Sequence, residues 1–337
     1  MKSGPWLSKL FDDLRTKAPM VNSGLNNAGH KTPGSPIVDL QPHSVGVFES
    51  FDGTEIAYEV FGPHPRQTSL LPVVVCNGIA CVAHAYWDSL VSSIAEKIRV
   101  VLWDYRGHGA SSDPCNPSEI TVPSFSRDLL CLMEELGMNT AIVVGHSFGV
   151  QVALEAIRIN PGAAAGLVAV AGPHRRPLGD LYGFPLARVA VSVLEPLAEM
   201  AAIPARILWH GAFRTPLPFA IGKIARMVGP RATAEAMRNY FEGLGALDPI
   251  LLLRMFKAMD YQDATDLLPT LNIPVLLVAG TADVMTPLYV METMHRLIPD
   301  SEMVVLEGVG HTLPAEAPDE LANLVAGFVE KLSSRYQ

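Results

Sequence analysis

Residues 141–155 read Ala141-Ile142-Val143-Val144-Gly145-His146-Ser147-Phe148-Gly149-Val150-Gln151-Val152-Ala153-Leu154-Glu155. The first half is a short β-branched run of the kind that forms a fully buried strand. The second half carries apolar side chains at helical spacing, so strand must become helix within a few residues. Ser147 sits at that bend. Gly145 and Gly149, two positions to either side, lack the Cβ atoms that would hold helix and strand apart. The pattern is G-x-S-x-G in the setting that gives it chemical meaning. A hydroxyl there projects from the carboxyl edge of a sheet and lies at a helix amino end, where unpaired N–H groups favour developing negative charge.

Working outward, Val45-Gly46-Val47-Phe48 and Glu55-Ile56-Ala57-Tyr58-Glu59-Val60 flank Asp52-Gly53, a hairpin signal at one end of a sheet. Continuous apolar runs follow at 72–76, 100–103, 141–144, 166–170, 274–278 and 303–306. Helix-like segments separate most of them, which predicts a mostly parallel, eight-stranded α/β sheet covered on both faces. The rhythm breaks between the runs at 166–170 and 274–278. About a hundred residues intervene there, far more than a crossover helix needs. That stretch is rich in Leu, Ala, Met and Phe and is punctuated by proline, and we read 175–262 as an inserted helical cap. The core is then expected in two parts, 44–174 and 263–337, preceded by residues 1–43. In that leader Trp6, Leu7, Leu10, Phe11 and Leu14 share a helical face over residues 2–17, and a linker rich in Asn, Gly, Ser and Pro follows.

Composition narrows the classes. With 25 basic and 34 acidic residues the formal charge is −9, and no basic stripe is present, so nucleic acid is not an expected partner. Cys76, Cys81, Cys115 and Cys131 show neither zinc-ligand spacing nor the density of a disulfide scaffold. No metal or other cofactor is expected, and a reducing, cytoplasmic setting fits. No run offers the ~20 apolar residues of a membrane span, and no signal peptide is read at the amino end. The stripe on residues 2–17 needs a cover: the main body, a neighbouring chain or a membrane surface, with its mixed charges counting against the last. The oligomeric state is open.

A serine hydroxyl needs a base within hydrogen-bond reach and a third group to orient that base. Gly308-Val309-Gly310-His311 follows the last strand, and Gly280-Thr281-Ala282-Asp283 the one before it. Both loops leave carboxyl strand ends, where open α/β sheets bind ligands. Asp263 and Asp266 precede a strand and should emerge at the opposite edge. His174 follows Gly172-Pro173 where the cap begins, and is expected to contact substrate. His108 and His146 lie in the wrong loops for the base and read as structural imidazoles.

The chain order Ser147, Asp283, His311, together with Asp104-Tyr105-Arg106-Gly107-His108-Gly109-Ala110-Ser111 and Thr286-Pro287, resembles the α/β-hydrolase fold superfamily over residues 44–334, in the branch of capped carboxylesterases and lipases. That resemblance implies Ser147 as nucleophile, His311 as general base and then acid, and Asp283 as the orienting carboxylate. It also implies an oxyanion hole from the N–H groups of Phe148 and Ile79. Asn77 stands where the family usually carries histidine and is expected, with His174, among the substrate-binding residues. Arg106 and Asp104 are expected to brace their loop. Dehalogenases and epoxide hydrolases of this fold carry aspartate at the nucleophile position, so serine implies acyl chemistry. The expected activity is hydrolysis of an apolar carboxylic ester, a small-molecule substrate. A C–C bond hydrolase or lactonase with the same triad, and a non-catalytic ligand-binding member of the fold, are the alternatives.

Overall fold

The computed structural model describes residues 42–82, 87–179 and 186–335. The amphipathic stretch at 2–17 and its linker lie outside the described residues. Eight strands, β1 (Ser44–Glu49), β2 (Glu55–Phe61), β3 (Val73–Cys76), β4 (Val100–Trp103), β5 (Ala141–His146), β6 (Ala164–Val170), β7 (Val275–Gly280) and β8 (Ser301–Leu306), form one sheet. Their spatial order is β1-β2-β4-β3-β5-β6-β7-β8. β2 runs antiparallel to both β1 and β4, and every later pairing is parallel. The turn between β1 and β2 is closed by Ser50 and Thr54 around Gly53, whose φ of +85° is one that glycine adopts without strain.

Period-two alternation distributes each central strand between two cores. Val74, Val143, Leu167 and Leu277 face one, with Phe125, Leu129 and Leu132 of α2 (Val122–Glu135) and Val150 and Leu154 of α3 (Phe148–Ile159). Val75, Val144, Val168 and Val278 face the other, with Leu90, Val91 and Ile94 of α1 (Asp88–Ile94). All of these residues are buried. This is why the strands read as unbroken apolar runs: neither face meets water.

The helical insertion between β6 and β7 comprises α4 (Leu186–Met200), α5 (Ala202–Ala212), α6 (Leu217–Ile224), α7 (Arg238–Ala246) and α8 (Pro249–Tyr261). Asp248 caps α8, its side chain accepting the Ile250 N–H at 2.9 Å, while Pro249 occupies a first-turn site where no donor is needed. The chain returns to the sheet at β7 and completes the covering helices with α9 (Leu288–Leu297), α10 (Leu313–Glu316) and α11 (Pro318–Ser333). α11 supplies Leu321, Val325, Phe328 and Val329 to the core it shares with α1.

Candidate active site

Ser147 occupies the turn from β5 into α3 with φ +53° and ψ −118°, a region that residues with a Cβ rarely enter. The surrounding glycines make that strain tenable. A Cβ on Gly145 would lie 2.6 Å from the Gly149 carbonyl oxygen. One on Gly149 would overlap the Cys76 carbonyl oxygen, so the chain leaving β3 runs directly across the start of α3. Beyond it, Gly78 to Cys81 form a turn closed by the Cys81 N–H on the Gly78 carbonyl at 3.3 Å, with Ala80 at φ +61°.

The structure brings three of the expected side chains into one line. His311 Nε2 is 2.9 Å from Ser147 Oγ, and His311 Nδ1 is 3.0 Å from Asp283 Oδ2. A carboxylate only accepts, so Nδ1 carries the proton and Nε2 is left to accept the serine hydroxyl. The other Asp283 oxygen accepts the N–H groups of Met285 and Thr286 at 2.8 and 2.9 Å. This explains the place of Thr286-Pro287 just after the loop: its backbone pins the carboxylate. All three side chains belong to buried residues.

Two groups outside that line hold it in place. His146 Nε2 donates to the His311 carbonyl at 2.9 Å. Burial, with the neighbouring His311 imidazole adding to it, lowers its pKa to about 3, so the ring is neutral. Glu316 gathers the other flank. Its carboxylate accepts the Gly310 N–H at 3.1 Å, the Thr312 hydroxyl at 2.8 Å and the Arg231 N–H of the insertion at 3.0 Å. Thr312 in turn accepts the Gly229 N–H at 3.0 Å. The residues on both sides of His311 are thereby tied to the insertion. Sequence reasoning missed Glu316, because a glutamate in a helical run near the carboxyl end carries no sign of burial.

Asn77 has its polar groups engaged inside the protein. It is buried, its Nδ2 donates to the Trp103 carbonyl at 3.1 Å, and its Oδ1 accepts the Trp87 indole N–H at 2.6 Å. The Tyr105 hydroxyl donates to its carbonyl at 2.8 Å. With amide and carbonyl engaged within the protein, Asn77 braces the loop after β3. His174 follows β6, where the insertion begins. It is buried, its carbonyl accepts the Ala264 N–H at 2.9 Å, and Arg175 bridges to Asp263 beside it. Asp266 meets Arg158 at 2.7 Å near the carboxyl end of α3, one helix length from Ser147.

Arg106 braces its loop as expected. The side chain is fully buried, lies 2.6 Å from Asp128 and reaches Asp52 at 2.8 Å. Asp104 accepts the Ala110 N–H at 2.8 Å. His108, also buried, approaches the Arg106 carbonyl at 3.1 Å, and burial lowers its pKa to about 4.

The chain is similar to known proteins. A protein of Oryza sativa subsp. japonica named "probable esterase" is 27% identical over 257 residues, covering 72% of this chain and 88% of its own. An esterase from Rhodococcus superposes with a TM-score of 0.68 at 23% identity, covering 86% of this chain and 99% of its own. An enol-lactonase from Burkholderia xenovorans superposes with a TM-score of 0.64 at 19% identity, covering 85% and 100%. At such identities the superpositions speak for the fold alone. The sequence pattern of the alpha/beta hydrolase family matches residues 73–324, spanning the sheet from β3, the insertion and all three aligned side chains. The chain belongs to the alpha/beta hydrolase family.

Proposed function

We propose that the protein is a serine hydrolase that cleaves apolar carboxylic esters through an acyl-enzyme. The observation that carries this reading is the unbroken line from Asp283 through His311 to Ser147, with contacts of 3.0 and 2.9 Å. In this scheme His311 Nε2 takes the hydroxyl proton as Ser147 Oγ bonds to the ester carbon, and the carbonyl electron pair moves onto oxygen. That oxyanion is met by the N–H groups of Phe148, at the first position of α3, and Ile79, in the loop pressed against it. Collapse expels the alcohol, which leaves with the proton from His311. Water then attacks the acyl carbon by the same proton route and frees the acid and the serine. The Asp283 carboxylate holds the tautomer and offsets the imidazolium charge.

Preference for apolar substrates rests on what the insertion places near this edge. Val228, Ala232 and Met237 are buried in the same apolar cluster as Val309, two residues before His311. Val82, just past the Ile79 turn, is the side chain nearest Gly243 of α7. A charged group entering there would lose hydration without a partner.

The test is turnover of a short-chain aryl ester by wild type and Ser147→Ala, each shown to be folded. The variant should lose about 10⁴-fold or more in kcat/KM. Retained turnover would contradict the scheme. Lactones and vinylogous diketones in the same panel separate ester cleavage from the two related chemistries that a serine triad supports.

A further inference from the structure

Twelve of the large apolar side chains exposed among the described residues lie between Val189 and Met227. They fall at helical spacing. Val189, Val193 and Leu197 form one stripe along α4, and Leu217, Ile221 and Ile224 another along α6. Between them α5 presents Ile207 and Leu208, the latter 73% exposed, and Ile224 is 84% exposed. The inner sides of these helices are already in use. The Trp209 indole donates to the Leu244 carbonyl at 3.0 Å, and Phe213 and Phe219 pack on Phe241 of α7. The outward stripes are therefore not a misplaced core, and together they exceed the scattered apolar exposure of an ordinary surface.

Charge says what covers them. The chain as a whole has 25 basic and 34 acidic residues, yet 175–262 reverses the balance with eleven basic against seven acidic. Within it, no acidic residue occurs between Glu199 and Glu235, a stretch that contains Arg206, Arg214, Lys223, Arg226 and Arg231. Three acids flanking the stretch or packed against it are engaged: Glu195 meets Lys257 at 2.7 Å, Glu199 meets Arg254 at 2.7 Å and Asp248 meets Arg206 at 2.6 Å, while Glu235 at its carboxyl end is exposed. Arg214 and Arg226 are exposed, and among the described residues no carboxylate lies within ion-pair distance of either. Lys223 directs its ammonium at the Gly229, Pro230 and Ala232 carbonyls, with no carboxylate among these partners.

Aliphatic side chains interleaved with unpaired arginines match a surface that is apolar below and anionic above. We propose that the outer face of α4, α5 and α6 docks on an anionic lipid bilayer, with Ile207, Leu208 and Ile224 entering the acyl boundary and Arg214 and Arg226 meeting headgroup phosphates. Among the described residues no helix is long and apolar enough to cross a membrane, so the contact lies in the interface plane. The docking surface is separate from the Ser147 chemistry and stands or falls without it.

The experiment is co-sedimentation of the full chain with vesicles of phosphatidylcholine alone and of phosphatidylcholine with phosphatidylglycerol, at low and high salt. Wild type should bind the anionic vesicles at low salt and weaken at high salt and on the neutral ones. Ile207→Ser with Leu208→Ser, and separately Arg214→Glu with Arg226→Glu, should each weaken anionic binding by about tenfold or more, at an unchanged thermal midpoint. Amide exchange of the wild type on the vesicles gives an answer without mutation: peptides within 189–227 should slow. Absence of binding to anionic vesicles would overturn the proposal. So would wild-type binding by both variants, which places the contact elsewhere in the chain, or a stable dimer that both variants dissolve, which makes a second copy the cover.

Discussion

The carboxyl edge of the sheet and the helices inserted above it use the same apolar residue types to opposite ends. At the edge, Val144, Val170, Val278 and Val309 are buried, and even Arg106 is wholly enclosed. In the insertion, Met200, Leu208 and Ile224 point into solvent while aromatic residues do the inward packing. The sheet edge has little freedom, because each backbone there is pressed against another and each polar group needs a partner. The insertion has only to reach the edge at a few points, such as Gly229 and Arg231 on the His311 loop. Its outer face is free to serve something other than folding.

That contrast breaks most easily at Gly149. An alanine there meets the Cys76 backbone, which cannot swing aside as a side chain could. Gly149→Ala should therefore cost roughly 4 kcal/mol or more and show as loss of the folded protein. Urea unfolding of purified or refolded material checks this, and ordinary stability would mean that the chain after β3 can move away from α3.

Acid should expose the edge next. His108 and His146 are neutral in the folded chain, with pKa values of about 4 and about 3, but titrate near 6.5 when unfolded. Between those limits the unfolded state binds more protons, so stability falls as pH drops below 6.5. At pH 5 the loss is about 2 kcal/mol for each ring. Urea titrations near neutrality and at pH 5 measure it, and His108→Gln should remove about half. An identical acid loss in that variant would assign the slope to other groups.

A smaller effect sharpens the link between the two regions. Glu316→Gln keeps the shape of the clamp on Gly310, Thr312 and Arg231 but removes its charge. We expect about a tenfold fall in kcat with little change in KM, since a charge-assisted bond contributes on the order of 1.5 kcal/mol. An equal rise in KM with unchanged kcat would place Glu316 in substrate binding. The smallest effect belongs to the outer face: Ile224→Ser should leave stability within about 0.5 kcal/mol of wild type. A larger loss would show that its side chain is packed after all.

Legibility in the sequence followed the same division. The central strands were readable because double-sided burial leaves unbroken β-branched runs; Ser147 and Asp283 follow two of them, and His311 follows the apolar run of the partly exposed edge strand β8. The insertion showed as a gap in rhythm, but a gap does not say which helical faces turn outward. Nothing in the sequence showed where Asn77 spends its hydrogen bonds, because position at a strand end does not fix a side chain's partners. Asn77 satisfies Trp87 and Trp103. Glu316 was invisible because two of its three partners are the backbone N–H groups of Gly310 and Arg231, which have no signature in sequence.

Reaction with a fluorophosphonate, followed by peptide mass analysis, bears most directly on the central claim. A single phosphonyl adduct on Ser147 is predicted, formed by wild type and greatly slowed in His311→Ala. An unmodified Ser147 in folded wild-type protein, or an adduct only on another residue, would contradict it.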